Sequence, residues 1–581
     1  MQTSNIPGYS EIFPSGIEQY DEVVSGLASD TVIKLCAAIN NELTCPEQRQ
    51  EIQGRLNYHL VSRFTKEQQA HLQQSFIDYK AKANDNFRGM IFFRRYLVAM
   101  ILKELANYRE VDDRDDSPVH EYQFFKAYLL VIDEVNQGDH GDLDFSNLDK
   151  TDPLTTYKML WMPVIRQFEY NEKGNIIFET LKTACLLKYT AENYTEFLKE
   201  YLGQFGFKSP GELLSSYNQI YRVTEVYDPK AMLRKFSLIN PLPDVNIKHL
   251  ESQAINAKIG TKLTFSDLKK QSVFHSKQRE KYVILDNYLS QRKVFRGPYF
   301  ELYHQTSLKK QEKKGGQEVF NKYSQNVADA LEARCLRPIL TLLGEKECDK
   351  MYFDDGTKNV PDGYLRIGNI VLLFEYKAYF FPEKLAQKPN FEALKKYFDD
   401  RFIVNEGGKE KGINQLKKQI DLIYQDKFDF DKELGKIATD QKLLIYPIIT
   451  YNDFNFSLSG LNVYLHKAFF SILEDKYAEK MTIMPLMLMN LETILDIVMT
   501  EQGVTGLRQH IYNFINLVTE SEANLQVSKS QSDFLKAHAS FDEIYNWLFV
   551  QKLENPDSIQ PVLEKLLEIA GLSFSELNKP L

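Results

Sequence analysis

The chain has 581 residues, too many for one hydrophobic core, so three or four domains are expected. Its 43% apolar and 13% aromatic content excludes a disordered scaffold. A net charge of −9 repels nucleic acid in bulk, so any such contact needs a local basic face or a partner that delivers it.

Residues 1–150 read as a helical domain, with dense apolar stripes over Thr31 to Ile39, Phe87 to Tyr108 and Glu121 to Val135. The Asp-, Gly- and Asn-rich stretch from Asn136 to Pro153 is expected to be a boundary loop. Residues 151–300 read as a second helical domain, with a rigid break at Asn240-Pro241-Leu242-Pro243. Its end is basic: Ser266 to Gly316 holds 12 Lys or Arg against 5 Asp or Glu, interleaved with Phe274, Tyr282, Tyr288, Phe295, Tyr299, Phe300 and Tyr303. That pattern makes Lys277, Arg279, Lys281, Arg292, Lys293 and Arg296 candidates for a phosphate-backbone groove, with a solvated face as the ordinary alternative.

A third domain is expected over 301–500. Phe320, Tyr323, Val327, Leu331 and Cys335 predict an amphipathic helix from about 317 to 343. A strand within Glu345 to Asp354 should follow. The run Ile370-Val371-Leu372-Leu373-Phe374 predicts a buried strand. Ile413, Leu416, Ile420 and Tyr424 mark the next helix, Lys442 to Thr450 a further buried strand, and Thr482 to Met489 another. Residues 501–581 read as a helical tail, with Phe541 to Leu553 amphipathic and Trp547 buried.

The chemistry concentrates at Pro361-Asp362 and Glu375-Tyr376-Lys377. Gly368-Asn369 between them is a two-residue hairpin signal, because both positions tolerate positive φ. If these residues form the turn, Ile367 pairs with Ile370, and counting outward along both strands brings Asp362 opposite Glu375. Directly opposed Cβ atoms lie about 4.5–5.5 Å apart. Lys377 projects from the same face as Glu375, one strand repeat (roughly 6.6–6.8 Å) further on. Two carboxylates that close cannot both ionise cheaply in a buried sheet, so one stays protonated or a cation neutralises the pair. Hard oxygen ligands suit Mg²⁺ or Mn²⁺. The ordinary alternative is a cross-strand charge pattern on a solvated hairpin.

Pro361-Asp362 followed by Glu375-Tyr376-Lys377 resembles the signature of the PD-(D/E)XK nuclease superfamily, and the order helix, three strands, helix, strand resembles that family's core. The resemblance implies a restriction-endonuclease-like mixed α/β core within an α+β, multidomain chain. It implies Mg²⁺- or Mn²⁺-dependent hydrolysis of nucleic-acid phosphodiesters, DNA more than RNA. Asp362 and Glu375 would bind metal together with the Tyr376 backbone carbonyl, and Lys377 would assist the attacking water. Many members carry an acid just after an aromatic on the first helix. Here Ser324 follows Tyr323 and Asn321 follows Phe320, which leaves Glu318 as the nearest substitute. Gln415 resembles a glutamine found beside the active site in many members. A large helical region fused to such a core resembles bacterial anti-phage defence nucleases, in which the accessory part docks a protein partner or forms homo-oligomers. The rival readings are a non-catalytic nucleic-acid-binding protein on a nuclease-like fold and a regulatory interaction protein.

Five cysteines without Cys-x-x-Cys spacing, no secretory signal at the start, and no apolar run near the roughly 20 residues a bilayer needs point to a cytoplasmic protein with no membrane partner. There is no Gly-x-x-x-x-Gly-Lys-Ser/Thr loop, so ATP hydrolysis by this chain is not expected.

Overall fold

The computed structural model describes residues 6–14, 16, 18–44, 49–82, 89–111, 118–139, 154–162, 175–222, 246–257, 260–276, 281–354, 360–387, 390–500, 502–528, 530–546 and 556–581. The expected break at Asn240 to Pro243, the burial of Trp547 and the basic residues Lys277 and Arg279 lie outside them. The expected loop from Asn136 begins later, because the helix before it runs on to Asp139. Contacts divide the chain into two compact units where the sequence suggests four domains: Met1–Asn147, Lys173–Thr180 and Lys199–Leu302 form one, and Leu148–Glu172, Leu181–Leu198 and Tyr303–Leu581 the other. The described residues make a mixed α and β protein with two separate sheets among them. No helix among the described residues is long and apolar enough to cross a membrane.

The first unit is mainly helical, including α1 (Ser29–Glu42), α2 (Arg94–Ala106), α3 (Pro118–Asp139) and α4 (Asn287–His304). It also contains a small sheet that the helical reading lacked: β1 (Ala254–Ile255) runs parallel to β2 (Val273–Ser276), which pairs antiparallel with β3 (Lys281–Ile284). Val273, Phe274, Tyr282, Val283 and Ile284 are β-formers and all are buried. Buried acids tie the helices. Asp286 accepts from Arg94 Nη2 at 2.6 Å and from Asn40 Nδ2 at 2.9 Å, so its charge is both paired and hydrogen-bonded.

The second unit is built on a six-stranded sheet. β4 (Lys350–Phe353), β5 (Gly363–Ile367) and β6 (Ile370–Lys377) form an antiparallel meander, and β7 (Leu443–Tyr451) runs parallel to β6. β8 (Met481–Ile483) and β9 (Met487–Asn490) both pair parallel with β7, so the stretch expected as one strand is two. The β5–β6 register is the expected one, from Ile367 opposite Ile370 to Gly363 opposite Phe374. Only Gly368 takes positive φ in the turn, at 55°, and Asn369 does not. A glycine first and a negative-φ residue second is the type II′ pattern, which suits right-handed strand twist as type I′ does.

Helices cover both faces of this sheet. On one side, α5 (Glu318–Leu331), a π turn (Glu332–Leu336) and α6 (Arg337–Gly344) form one continuous helical rod. Gly363 has no Cβ because one would lie 2.5 Å from Leu340 Cδ1 on α6. On the other side lie α7 (Phe391–Phe402) and α8 (Gly412–Tyr424). Ile413, Leu416 and Ile420 of α8 share a core with Val371 and Leu373 of β6 and Ile445 and Ile449 of β7.

The tail is part of this unit rather than a separate domain. Asp542, fully buried, accepts from Asn490 N at 2.9 Å, Thr493 Oγ1 at 2.7 Å and Ser457 Oγ at 2.9 Å, and from the Tyr451 hydroxyl. Those donors come from the ends of β7 and β9, the turn after Phe454–Phe456 and the helix Leu491–Met499, so the short helix Phe541–Ile544 caps the sheet.

Candidate active site

The site forms where β5 begins and β6 ends. The ladder stops at Gly363, and one residue earlier the Asp362 carboxylate takes over: its Oδ2 accepts the Tyr376 N–H at 2.6 Å. A strand residue's N–H and C=O point to the same side, so the Tyr376 carbonyl faces this same open end of the ladder. The Tyr376 hydroxyl points away and pairs with Asn452 beyond β7. Glu375 and Lys377 are 2% and 6% exposed, and Lys377 Nζ donates to Glu375 Oε1 at 2.6 Å and to Gln415 Oε1 at 3.0 Å. Asp362, Glu375, Lys377 and Gln415 therefore meet at one strand end.

Gln415 reaches Lys377 because α8 starts under tight constraint. The Lys411 N–H donates to Ile403 O at 2.8 Å, and Gly412 adopts φ 33° with its α-carbon pressed on the end of α7. A Cβ there would lie 2.6 Å from Phe402 O, a backbone atom that cannot swing aside. Gly412→Ala is expected to destabilise the protein by about 1–3 kcal/mol, read as a lower urea midpoint.

The helical acid that lies beside Asp362 is Glu332, not Glu318. Glu318 is exposed in the first turn of α5, about 21 Å along the helix from Glu332, so it does not serve the site. Glu332 opens the π turn, in which the Arg337 N–H reaches back five residues to the Glu332 carbonyl. Pro338 explains the departure from α geometry, since it has no N–H to offer the Arg334 carbonyl four residues earlier. That carbonyl is taken up instead by Cys185 Sγ at 3.4 Å. Such π turns concentrate at functional sites, and Pro338 was the signal in the sequence that marks this one.

One carboxylate oxygen each from Glu332, Asp354 and Asp362 lies within 4.8 Å of the other two. Asp354, just past β4, was also missed, because nothing local distinguishes it from any acid at a strand end. Glu375, expected as a metal ligand, is not part of this set, and its Oε1 accepts from Lys377. Burial pushes the Asp362 carboxyl well above the usual carboxylate range. Glu375 adds to that rise, Lys377 opposes it and Glu332 adds further. Burial also raises Glu332, against the pull of Arg337, whose Nη2 lies 3.3 Å from Glu332 Oε1. For Lys377 burial pulls downward, but Glu375 and then Asp362 outweigh it and hold the ammonium above its ordinary value.

The donor set fits a hard divalent cation. It is all oxygen, and the carboxylates outnumber the cations among them. Octahedral Mg²⁺ needs ligand oxygens about 2.9–4.2 Å apart, which the three acids reach with small rotamer shifts. Glu332, Asp354, Asp362 and the Tyr376 carbonyl are the atoms that could hold it.

Two of the basic residues expected to contact nucleic acid are interior. Arg292 is 3% exposed, with Nη1 2.5 Å from Glu179 Oε1, and Lys293 is 5% exposed and paired with Glu301. Their charges are spent inside the first unit, so neither lines a groove. Arg296 is half-buried and already partnered, and Lys281 sits in β3 opposite Ser276. Phe274, Tyr282, Phe295 and Tyr299 are core residues rather than stacking platforms. Comparison of the chain with family models, with curated proteins and with solved structures finds no match.

Proposed function

We propose that the second unit is a PD-(D/E)XK-type, restriction-endonuclease-like core that hydrolyses nucleic-acid phosphodiester bonds, DNA in preference to RNA, with Mg²⁺ or Mn²⁺. The observation that carries this reading is the convergence of Glu332, Asp354 and Asp362 beside the buried Lys377–Glu375 pair at one strand end. A divalent cation at those oxygens would supply Lewis-acid stabilisation of charge on the scissile phosphate. The chain's own part is positional. Asp362 is pinned by the Tyr376 N–H, and Gln415 and Glu375 orient Lys377. The protonated Lys377 ammonium has a third N–H to offer the attacking water or a phosphate oxygen. A cation there acts as a charge stabiliser and donor, not as a general base.

Calorimetric titration with Mn²⁺ tests the reading. Wild type is expected to bind and Glu332→Gln to lose at least tenfold in affinity, with plasmid cleavage falling in parallel. Wild type that takes up no Mn²⁺, or cleavage that persists in EDTA, would remove the basis for it.

A further inference from the structure

An acidic site on an acidic chain repels the polyanion assigned to it, so a cation beside the carboxylates must hold the strand. Lys377 cannot do this alone, because Glu375 already neutralises it. Arg401, near the end of α7, is placed for that task. Its guanidinium carbon lies 4.4 Å from the Tyr379 ring centroid and 5.5 Å from that of Tyr397. Tyr379 follows Lys377 by two residues, so their Cα atoms are at most about 7.2 Å apart. Tyr379 is also close enough to contribute to the field at Lys377.

No ion pair engages Arg401 among the described residues. Asp399 is bound by Lys395 at 2.7 Å and by the Tyr464 hydroxyl at 2.6 Å, and Glu406 pairs with Lys396. Asp400 is adjacent in sequence on the helix and faces another way. Arg401 Nε is buried with no hydrogen-bond partner. Arg401 lies against the Tyr379 and Tyr397 rings and hydrogen-bonds the Tyr397 hydroxyl, where the Asp453 carboxylate also acts. The rings themselves are fixed, since the Tyr397 hydroxyl donates to Phe380 O at 3.0 Å. A guanidinium held flat on an aromatic ring is preorganised, and its fork of donors matches an anionic phosphodiester.

We propose that Arg401, clamped on Tyr379, binds the phosphodiester next to the scissile one in a nucleic-acid strand. This rests on the nuclease reading above and names the residue that grips its substrate. The contact reads backbone and not base, so it acts alike on every sequence.

Fluorescence anisotropy with a labelled short duplex and the matching single strand, in Ca²⁺ over a range of salt, tests it. Arg401→Ala should weaken binding about tenfold and make the log–log salt slope shallower by roughly 0.7–0.9. Arg401→Met keeps an apolar stem over Tyr379 and should give the same loss if the alanine variant folds poorly. Arg401→Lys keeps the charge, so it should keep the slope and lose only part of the affinity. Equal affinity for wild type and both uncharged variants, with Mn²⁺ binding intact, overturns this inference alone. Weaker binding with an unchanged slope also overturns it, because Arg401 would then only pack the rings. Wild type without affinity for either strand form overturns this inference and the nuclease reading together.

Discussion

At neutral pH and without divalent metal, Asp362→Asn is expected to melt higher than wild type, although the same substitution abolishes Mn²⁺ binding. An unfolded aspartate titrates near about 3.9, whereas burial and the charge of Glu375 hold the folded Asp362 well above that. A raised carboxyl favours the folded state fully below the unfolded value. That contribution is lost as pH climbs from about 4 toward the folded value, since the unfolded chain gives up its proton first. Glu332 is raised in the same sense, so the penalty of like charges in one small volume is shared. Asparagine removes it and can still accept the Tyr376 N–H. The apo gain should be on the order of 1 kcal/mol, or about 1–2 °C. Saturating Mn²⁺ should reverse the order, because wild type gains about 2.7 kcal/mol at 100 times Kd and the variant gains nothing. Scanning calorimetry with and without Mn²⁺, from pH 4 to pH 8, reads both effects. An apo variant less stable than wild type at pH 7 would mean that the acids do not share a field.

Lys377→Ala should be both inactive and unstable, and a double substitution separates the two. Removing the ammonium strands the Glu375 carboxylate, 2% exposed, without its counter-charge. Breaking a buried pair from one side costs about 3–5 kcal/mol, whereas replacing both members with neutral groups of similar size is near neutral. Glu375→Gln with Lys377→Met should therefore recover most of the stability in urea unfolding. Neither protein should cleave, since removing one positioned hydrogen-bond donor to developing charge costs about 10²–10³ in rate. Cleavage restored by the double substitution would show that Lys377 serves the fold and not the reaction.

The hairpin and its register were legible because they follow from local rules. Gly368-Asn369 specifies a tight reversal, and period-two alternation then fixes which residues oppose each other. The amphipathic stripes of α5 and α8 were equally plain, whereas Gln415 was singled out only by its resemblance to a family glutamine, and it does lie within reach of Lys377. The misreadings share one cause. Arg292 and Lys293 look like a basic surface until Glu179, more than a hundred residues away, and Glu301 are brought against them. Charge counted along a chain says nothing about the carboxylates folding will supply. Phe274 and Tyr282 likewise have the spacing of a stacking surface and the burial of a small sheet. Glu332 follows an apolar residue, as Glu318 precedes one, and only Pro338 hinted that the helix changes pitch from Glu332 onward.

Residue order alone dictated the turn at Gly368, the alternation that aligns Asp362 with the end of β6, and the placement of Glu375 and Lys377 on one face, because each depends on neighbours along the backbone. The crossing of α5 over the sheet and the arrival of Glu332 and Asp354 beside Asp362 belong to tertiary packing. They depend on side chains far apart in sequence filling one core, and the electrostatic cost of gathering those acids becomes visible only once that core has closed.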